Sequence, residues 1–132
     1  MILLPALIGA GAAGLMMLAF HRAGLLEERS GMTVLLSAVA LFYPVFAAAE
    51  GDWTGFALHF VIFLGFSAVA LRGFRKGMFL LAGGLIAHGL FDAGLLLIGG
   101  PGPIWWPAFC AGVDIVAGFT LIRLIQTQKV PQ

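Results

Sequence analysis

The sequence predicts an all-α polytopic membrane protein, a single bundle of five transmembrane helices. Three observations carry this prediction. Hydrophobic residues make up 61% of the 132-residue chain and charged residues only 10%, too few to cover a soluble domain of this size. The hydrophobic residues fall into five long stretches, which short polar or Gly/Pro-rich segments separate. Five crossings also place every Lys and Arg residue on one side of the membrane.

Each predicted span is bounded by an interruption of the apolar sequence. The spans cover about residues 2–20, 32–49, 54–71, 78–98 and 108–125. The first contains Gly9 and Ala13 at a spacing of four, which is typical of helices whose backbones pack closely. The second contains Pro44, which predicts a kink because proline removes a backbone hydrogen bond. The fourth ends at residues 99–103, a Gly/Pro-rich stretch that predicts a loop.

The distribution of charge predicts the orientation of the bundle. The basic residues lie in the first turn, the third turn and the C-terminal tail, whereas the turn after the second span carries only Glu50 and Asp52. The positive-inside rule therefore places the N-terminus outside and the C-terminus in the cytoplasm. We expect a multi-pass protein of a plasma membrane, such as the bacterial inner membrane. The polar tail after residue 125 is expected to be frayed.

Ionisable residues inside the spans are the strongest functional signal. His88 and Asp92 are one helical turn apart on the fourth span, and Asp114 lies on the fifth. A charged side chain at the centre of a membrane helix costs about 2.5–3.5 kcal/mol on insertion scales. Counting residues from the span ends places both aspartates roughly 10 Å below one membrane surface. Because helices joined by a short loop are usually neighbours, we expect the two aspartates to face each other. His59 on the third span can join them.

Two carboxylates at one depth in the membrane need something that offsets their negative charge. One can keep its proton, a histidine can become cationic, or a divalent transition ion such as zinc can bind. Apart from Arg123 at the cytoplasmic end of the fifth span, no Lys or Arg lies inside a span to serve as a counter-ion. The candidate catalytic residues are His88, Asp92 and Asp114, and the candidate metal ligands are these three with His59. The alternative is a structural hydrogen-bonded group that fixes the helix register.

Four further residues are candidates for binding a substrate. Tyr43 and Glu50 lie in the half of the second span nearest the predicted site and can close it from above. Trp105 and Trp106 are typical surface anchors and can also line an entrance. The single cysteine, Cys110, excludes an internal disulfide and is typical of a small packing residue.

Two short motifs resemble parts of known sequences. The combination of His88-Gly89-Leu90-Phe91-Asp92 with Trp105-Trp106-Pro107-Ala108-Phe109-Cys110 and Asp114 resembles small bacterial integral membrane proteins of uncharacterised function. The resemblance covers the last two spans and implies no activity or residue role.

Three functions from different classes fit these features. The first is an enzyme whose His/Asp site acts on a lipid-like substrate, with a metal or by acid–base chemistry. The second is a proton-coupled transporter, which requires a homo-oligomer because five helices are too few to enclose a transport pathway. The third is a non-catalytic subunit or assembly factor that binds partner helices through its Gly/Ala faces. The bilayer and a hydrophobic small molecule are the expected partners, and a net charge of +1 does not indicate nucleic acid.

Overall fold

The fold is an all-helical bundle, described for residues 1–132 by a computed structural model. Its five helices are α1 (Leu3–Arg22), α2 (Ser30–Ala49), α3 (Trp53–Lys76), α4 (Met78–Ile98) and α5 (Trp106–Gln126). Each is long and apolar enough to cross a membrane, so the predicted five-helix membrane bundle is confirmed. The helices extend most predicted spans by a few residues, and α2 continues through Pro44.

The helices do not pack strictly in chain order. As predicted, α4 packs against α5. Helix α2 packs against α3, which in turn contacts α4. In contrast, α1 packs mainly on α5 rather than on α2, the next helix in the chain. Helix α5 therefore lies between α1 and α4. Near the site, α2 and α5 therefore approach each other through side chains, and both helices also contact α4.

Glycines allow α5 to lie close to both of its neighbours. A Cβ atom on Gly112 would collide with the backbone oxygen of Ala6 in α1, and one on Gly9 would collide with that of Phe109 in α5. On the other side of α5, a Cβ on Gly118 would lie 3.0 Å from the backbone oxygen of Ala82 in α4. The predicted close-packing face of α1 is confirmed, because Ala13 is fully buried beside Gly9.

Both ends of the bundle are held by polar contacts. The Glu50 carboxylate accepts a hydrogen bond from the Gly102 backbone N–H (2.8 Å), which links the α2–α3 turn to the α4–α5 loop. At the opposite end, the Arg29 guanidinium donates to the backbone oxygens of Phe74 (3.2 Å) and Gln132 (2.5 Å). Val130 is buried in the hydrophobic core. The expectation of a frayed tail is therefore wrong, because this tail has an apolar residue to bury and an arginine to bind.

Candidate functional site

Four polar side chains from three helices meet inside the bundle. They are Tyr43 from α2, His88 and Asp92 from α4, and Asp114 from α5, and none is more than 1% exposed. Counted from the ends of α4 and α5 at their shared loop, the aspartates lie roughly 10 Å along each helix. The predicted juxtaposition of His88 with both aspartates is present. We refer to His88, Asp92 and Asp114 as the His/Asp centre.

One ring nitrogen of His88 faces both carboxylates. Its Nδ1 lies 2.7 Å from Asp114 Oδ2 and 3.3 Å from Asp92 Oδ2. The first distance is that of a short, charge-assisted hydrogen bond. The second arises because His88 and Asp92 are one turn apart on the same face of α4. A proton on Nδ1 therefore bonds to Asp114 and also lies within electrostatic reach of Asp92.

Tyr43 completes the polar group on the side of α2. Its hydroxyl donates a hydrogen bond of 2.5 Å to Asp92 Oδ1, the oxygen that points away from His88. The edge of the Phe91 ring packs against the Tyr43 ring, with centroids 5.8 Å apart. Of the four predicted substrate-binding residues, Tyr43 is the one that contacts the His/Asp centre. Together with the His/Asp centre, Tyr43 forms a continuous chain of polar contacts from α2 through α4 to α5.

His59 lies beside the His/Asp centre but not within its ligand group. Its ring stacks on that of Tyr43 with a centroid distance of 5.5 Å and an interplanar angle of 29°. The set of donor atoms that converge contains His88, Asp92 and Asp114 and does not include His59. His59 Nδ1 is buried without a hydrogen-bond partner. The structure therefore places His59 behind Tyr43, as a packing neighbour of the polar chain.

Several polar atoms of the His/Asp centre lack hydrogen-bond partners. They are His88 Nε2, Asp92 Oδ2 and Asp114 Oδ1. The Asp92 oxygen faces His88 Nδ1 at 3.3 Å, but not in hydrogen-bonding geometry. The ring of His88 meets the edge of Phe66 (centroids 4.8 Å apart) rather than a polar group. Because buried polar atoms in proteins are nearly all bonded, this group has unused capacity for a proton, an ion or a polar ligand.

The His/Asp centre could hold a metal ion. One donor atom from each of its three residues lies within 4.8 Å of the others. Three protein ligands with a fourth position left open are typical of catalytic zinc. Ligand atoms about 2.1 Å from a tetrahedral ion lie roughly 3.4 Å apart, so the Asp92–His88 spacing of 3.3 Å already fits. The 2.7 Å spacing between His88 and Asp114 would have to widen.

The other predicted binding residues lie away from the His/Asp centre. Glu50 is exposed and bonded to the α4–α5 loop, so its carboxylate serves that loop. Trp105 is half exposed, whereas Trp106 packs among Phe42, Phe46 and Phe109. Phe66, which packs against the His88 ring, was not among the predicted site residues. A phenylalanine among 12 in apolar spans carries no signal that could have revealed this contact.

Comparisons with protein-family models, with curated proteins and with solved structures gave no match.

Proposed function

We propose that the protein is an integral membrane enzyme that carries out acid–base chemistry on a hydrophobic, lipid-like substrate. One observation carries the proposal: two carboxylates from different helices converge on one imidazole nitrogen, with no exposed surface on any of the three residues. Intramembrane ionisable residues are expensive and are functional by default. The centre also leaves three of its polar atoms without a hydrogen-bond partner, and these could bind a proton, an ion or a polar group of a substrate.

The geometry supports a proton relay with defined roles. Asp114 orients His88 through Nδ1, which leaves Nε2 as the free ring nitrogen that can accept or donate a proton. Asp92 balances charge on the imidazole and in turn holds the Tyr43 hydroxyl. Tyr43 keeps its phenolic proton and stabilises the Asp92 carboxylate by donating a hydrogen bond to it. In this assignment His88 is the acid–base residue, and the aspartates position it and stabilise its charged form.

A metal-dependent variant of the same function is the second candidate. The convergence of three donor atoms within 4.8 Å favours it, and their imidazole and carboxylate chemistry suits a zinc-like ion. When bound, such an ion would polarise a carbonyl or activate water. His88, Asp92 and Asp114 would hold it, with His59 outside the ligand set.

The location of the enzyme is part of the proposal. The basic residues support a cytoplasmic C-terminus and an outward-facing N-terminus, in a plasma membrane such as the bacterial inner membrane. With that orientation the His/Asp centre lies in the outer half of the bilayer. Reporter fusions at the two termini test it, and signals from the same side of the membrane would contradict five crossings.

Turnover of membrane lipids by the purified protein tests the enzymatic proposal. A total lipid extract is incubated with the protein in proteoliposomes, and its composition is followed by mass spectrometry. Asp114→Asn keeps the shape of the side chain but removes its charge, and we expect turnover to fall by about 10²–10⁴-fold. Asp52→Asn is the matched control, because Asp52 caps α3 at an exposed position. Unchanged turnover in Asp114→Asn would overturn the proposal.

Metal analysis separates the two variants of the mechanism. Purified wild-type protein that binds zinc or cobalt in near-stoichiometric amounts, with binding lost in Asp114→Asn and kept in Asp52→Asn, would support the metal-dependent variant. Absence of binding together with intact turnover would assign the reaction to acid–base chemistry by the side chains alone.

A further inference from the structure

An apolar groove separates α1 from α2, with α5 as its floor. It has a volume of about 290 Å³, and every residue that lines it is hydrophobic. Along α5 it extends from Trp106 to Val113, roughly 10 Å of helix. The groove exists because α1 packs on α5 instead of on α2. The α1 side consists of Ala12, Ala13 and Met16, and the two alanines leave room for the groove.

The surroundings of the groove determine what can fill it. It lies between helices that are long and apolar enough to cross a membrane, at a depth occupied by lipid hydrocarbon. Water would find no polar partner on these walls. A cavity of about 150 Å³ accepts benzene, so 290 Å³ suits a segment with roughly twice as many carbon atoms. An acyl chain of a membrane lipid has this chemistry and is abundant at this depth.

The groove adjoins the His/Asp centre through shared helical turns. Cys110 lies on its floor, one turn before Asp114 on α5. Phe42 on the α2 wall immediately precedes Tyr43, which donates to Asp92. Cys110 is 1% exposed, so the protein encloses its side chain almost completely at this point of the groove.

A second apolar groove lies between the first groove and the end of the bundle that carries the α4–α5 loop. It has a volume of about 370 Å³ and lies between the first turns of α1 and α5. Trp106 and Phe109 line both grooves. The two grooves are therefore neighbours, with the same two aromatic side chains of α5 in the wall of each.

We infer that the groove between α1 and α2 seats an acyl chain of a membrane lipid, and that the substrate of the His/Asp centre is a lipid carrying such a chain. The second half of this inference rests on the proposed function. The chain lies along α5 and ends at Cys110, one turn from Asp114, the residue that orients His88.

Photolabelling tests the position of the chain. The protein is reconstituted in vesicles of phosphatidylcholine that contain a small fraction of an analogue with a diazirine in one acyl chain. After irradiation, adducts are mapped by peptide mass spectrometry. We expect adducts on residues 106–113 of α5 to exceed those on the exposed face of α3, at Leu58 and Val61, by several-fold. Labelling in proportion to exposure over all helices would overturn the inference.

Two variants of the groove sharpen the test. Ala12→Phe fills the groove from an exposed position, so we expect it to lower the groove adducts several-fold without disturbing the core. Ala19→Phe is the matched control, because Ala19 is exposed on the same helix outside the groove. Phe42→Ala widens the groove and is expected to raise the adducts. Equal labelling of Ala12→Phe and wild-type protein would overturn the inference. Cross-links from the groove to a second copy of the protein, in place of lipid adducts, would overturn it as well.

The catalytic variant distinguishes the two proposals. Asp114→Asn is expected to keep the groove adducts while it loses lipid turnover. Groove adducts with unchanged turnover would reject the enzymatic proposal and leave the lipid groove standing. Turnover that depends on Asp114, together with evenly distributed adducts, would reject the groove and leave the enzyme.

Discussion

Two buried histidines, one on α4 and one on α3, show what distinguishes a site from a packed residue. His88 and His59 are 0% and 7% exposed, and both lie on membrane-spanning helices. His88 meets two carboxylates, whereas His59 meets the faces and edges of aromatic rings. The difference arises from their helices, because α4 is enclosed by neighbours that supply Asp114 and Tyr43, while α3 is the least buried helix. Burial alone does not make a site, and convergence of polar partners does.

Removal of each histidine is the strongest test of this comparison. His88→Ala leaves two buried carboxylates facing each other without a cation, and we expect it to destabilise the fold by about 3–5 kcal/mol. His59→Ala removes a stacked ring but no polar partner, so its cost is expected to be clearly smaller. Unfolding in mixed detergent micelles measures both free energies. Equal losses would show that the two histidines have the same structural weight.

Deletion of the Tyr43 hydroxyl tests the polar chain at the α2 side. Tyr43→Phe preserves the ring that stacks on His59 but removes the donor to Asp92. A hydrogen bond to a charged group contributes about 1.5–3 kcal/mol, so we expect a loss in that range. Ser67→Ala on α3 is the control, because the Ser67 hydroxyl is buried without a partner. A loss of stability in Ser67→Ala as large as that in Tyr43→Phe would contradict the assignment.

Replacement of glycine by alanine is expected to lower the stability of the fold at the α4–α5 interface and to raise it on α3. A Cβ on Gly118 would lie 2.7 Å from Ile86 Cγ1 across the α4–α5 interface, so Gly118→Ala is expected to cost about 1–3 kcal/mol. Nothing lies within 4 Å of a Cβ on Gly65 of α3. Gly65→Ala should therefore stabilise its helix by about 0.5–1 kcal/mol. The same detergent unfolding assay measures both, and two losses of equal size would mean that α3 is packed as tightly as α5.

The smallest effect is expected when His59 is replaced by a residue of similar shape. His59→Phe keeps an aromatic ring against Tyr43 and removes the buried Nδ1 that has no partner. We expect a change of less than about 1.5 kcal/mol and unchanged lipid turnover. Loss of turnover at unchanged stability would place His59 in the chemistry, as the sequence analysis allowed.

The five helices and the meeting of three polar residues were predictable because they follow from strong local rules. Apolar length defines the spans, and a short loop makes α4 and α5 neighbours with Asp92 and Asp114 at one depth. His88 follows from its position one turn from Asp92. These inferences need one helix pair and no knowledge of the rest of the bundle.

The remaining features depend on contacts between segments distant in the chain. The pairing of α1 with α5 rests on Gly9 and Gly112, whose spacing alone does not identify a partner helix. The position of Glu50 at the α4–α5 loop, rather than over the site, depends on a backbone N–H of Gly102. The binding of the C-terminal tail depends on Arg29, 103 residues away from Gln132. No local sequence pattern indicates these contacts between distant segments.

The pairing of α1 with α5 also constrains how the protein is assembled. Synthesis proceeds from the N-terminus, so α1 enters the bilayer before α2, α3 and α4, and its principal neighbour α5 enters after them. During that interval the Gly9–Ala13 surface is open to lipid or to insertion factors, and the high hydropathy of α1 keeps the helix in the membrane alone. The groove beside α1 gains its floor only when α5 has been inserted, so α1 waits for three intervening helices before it meets its partner.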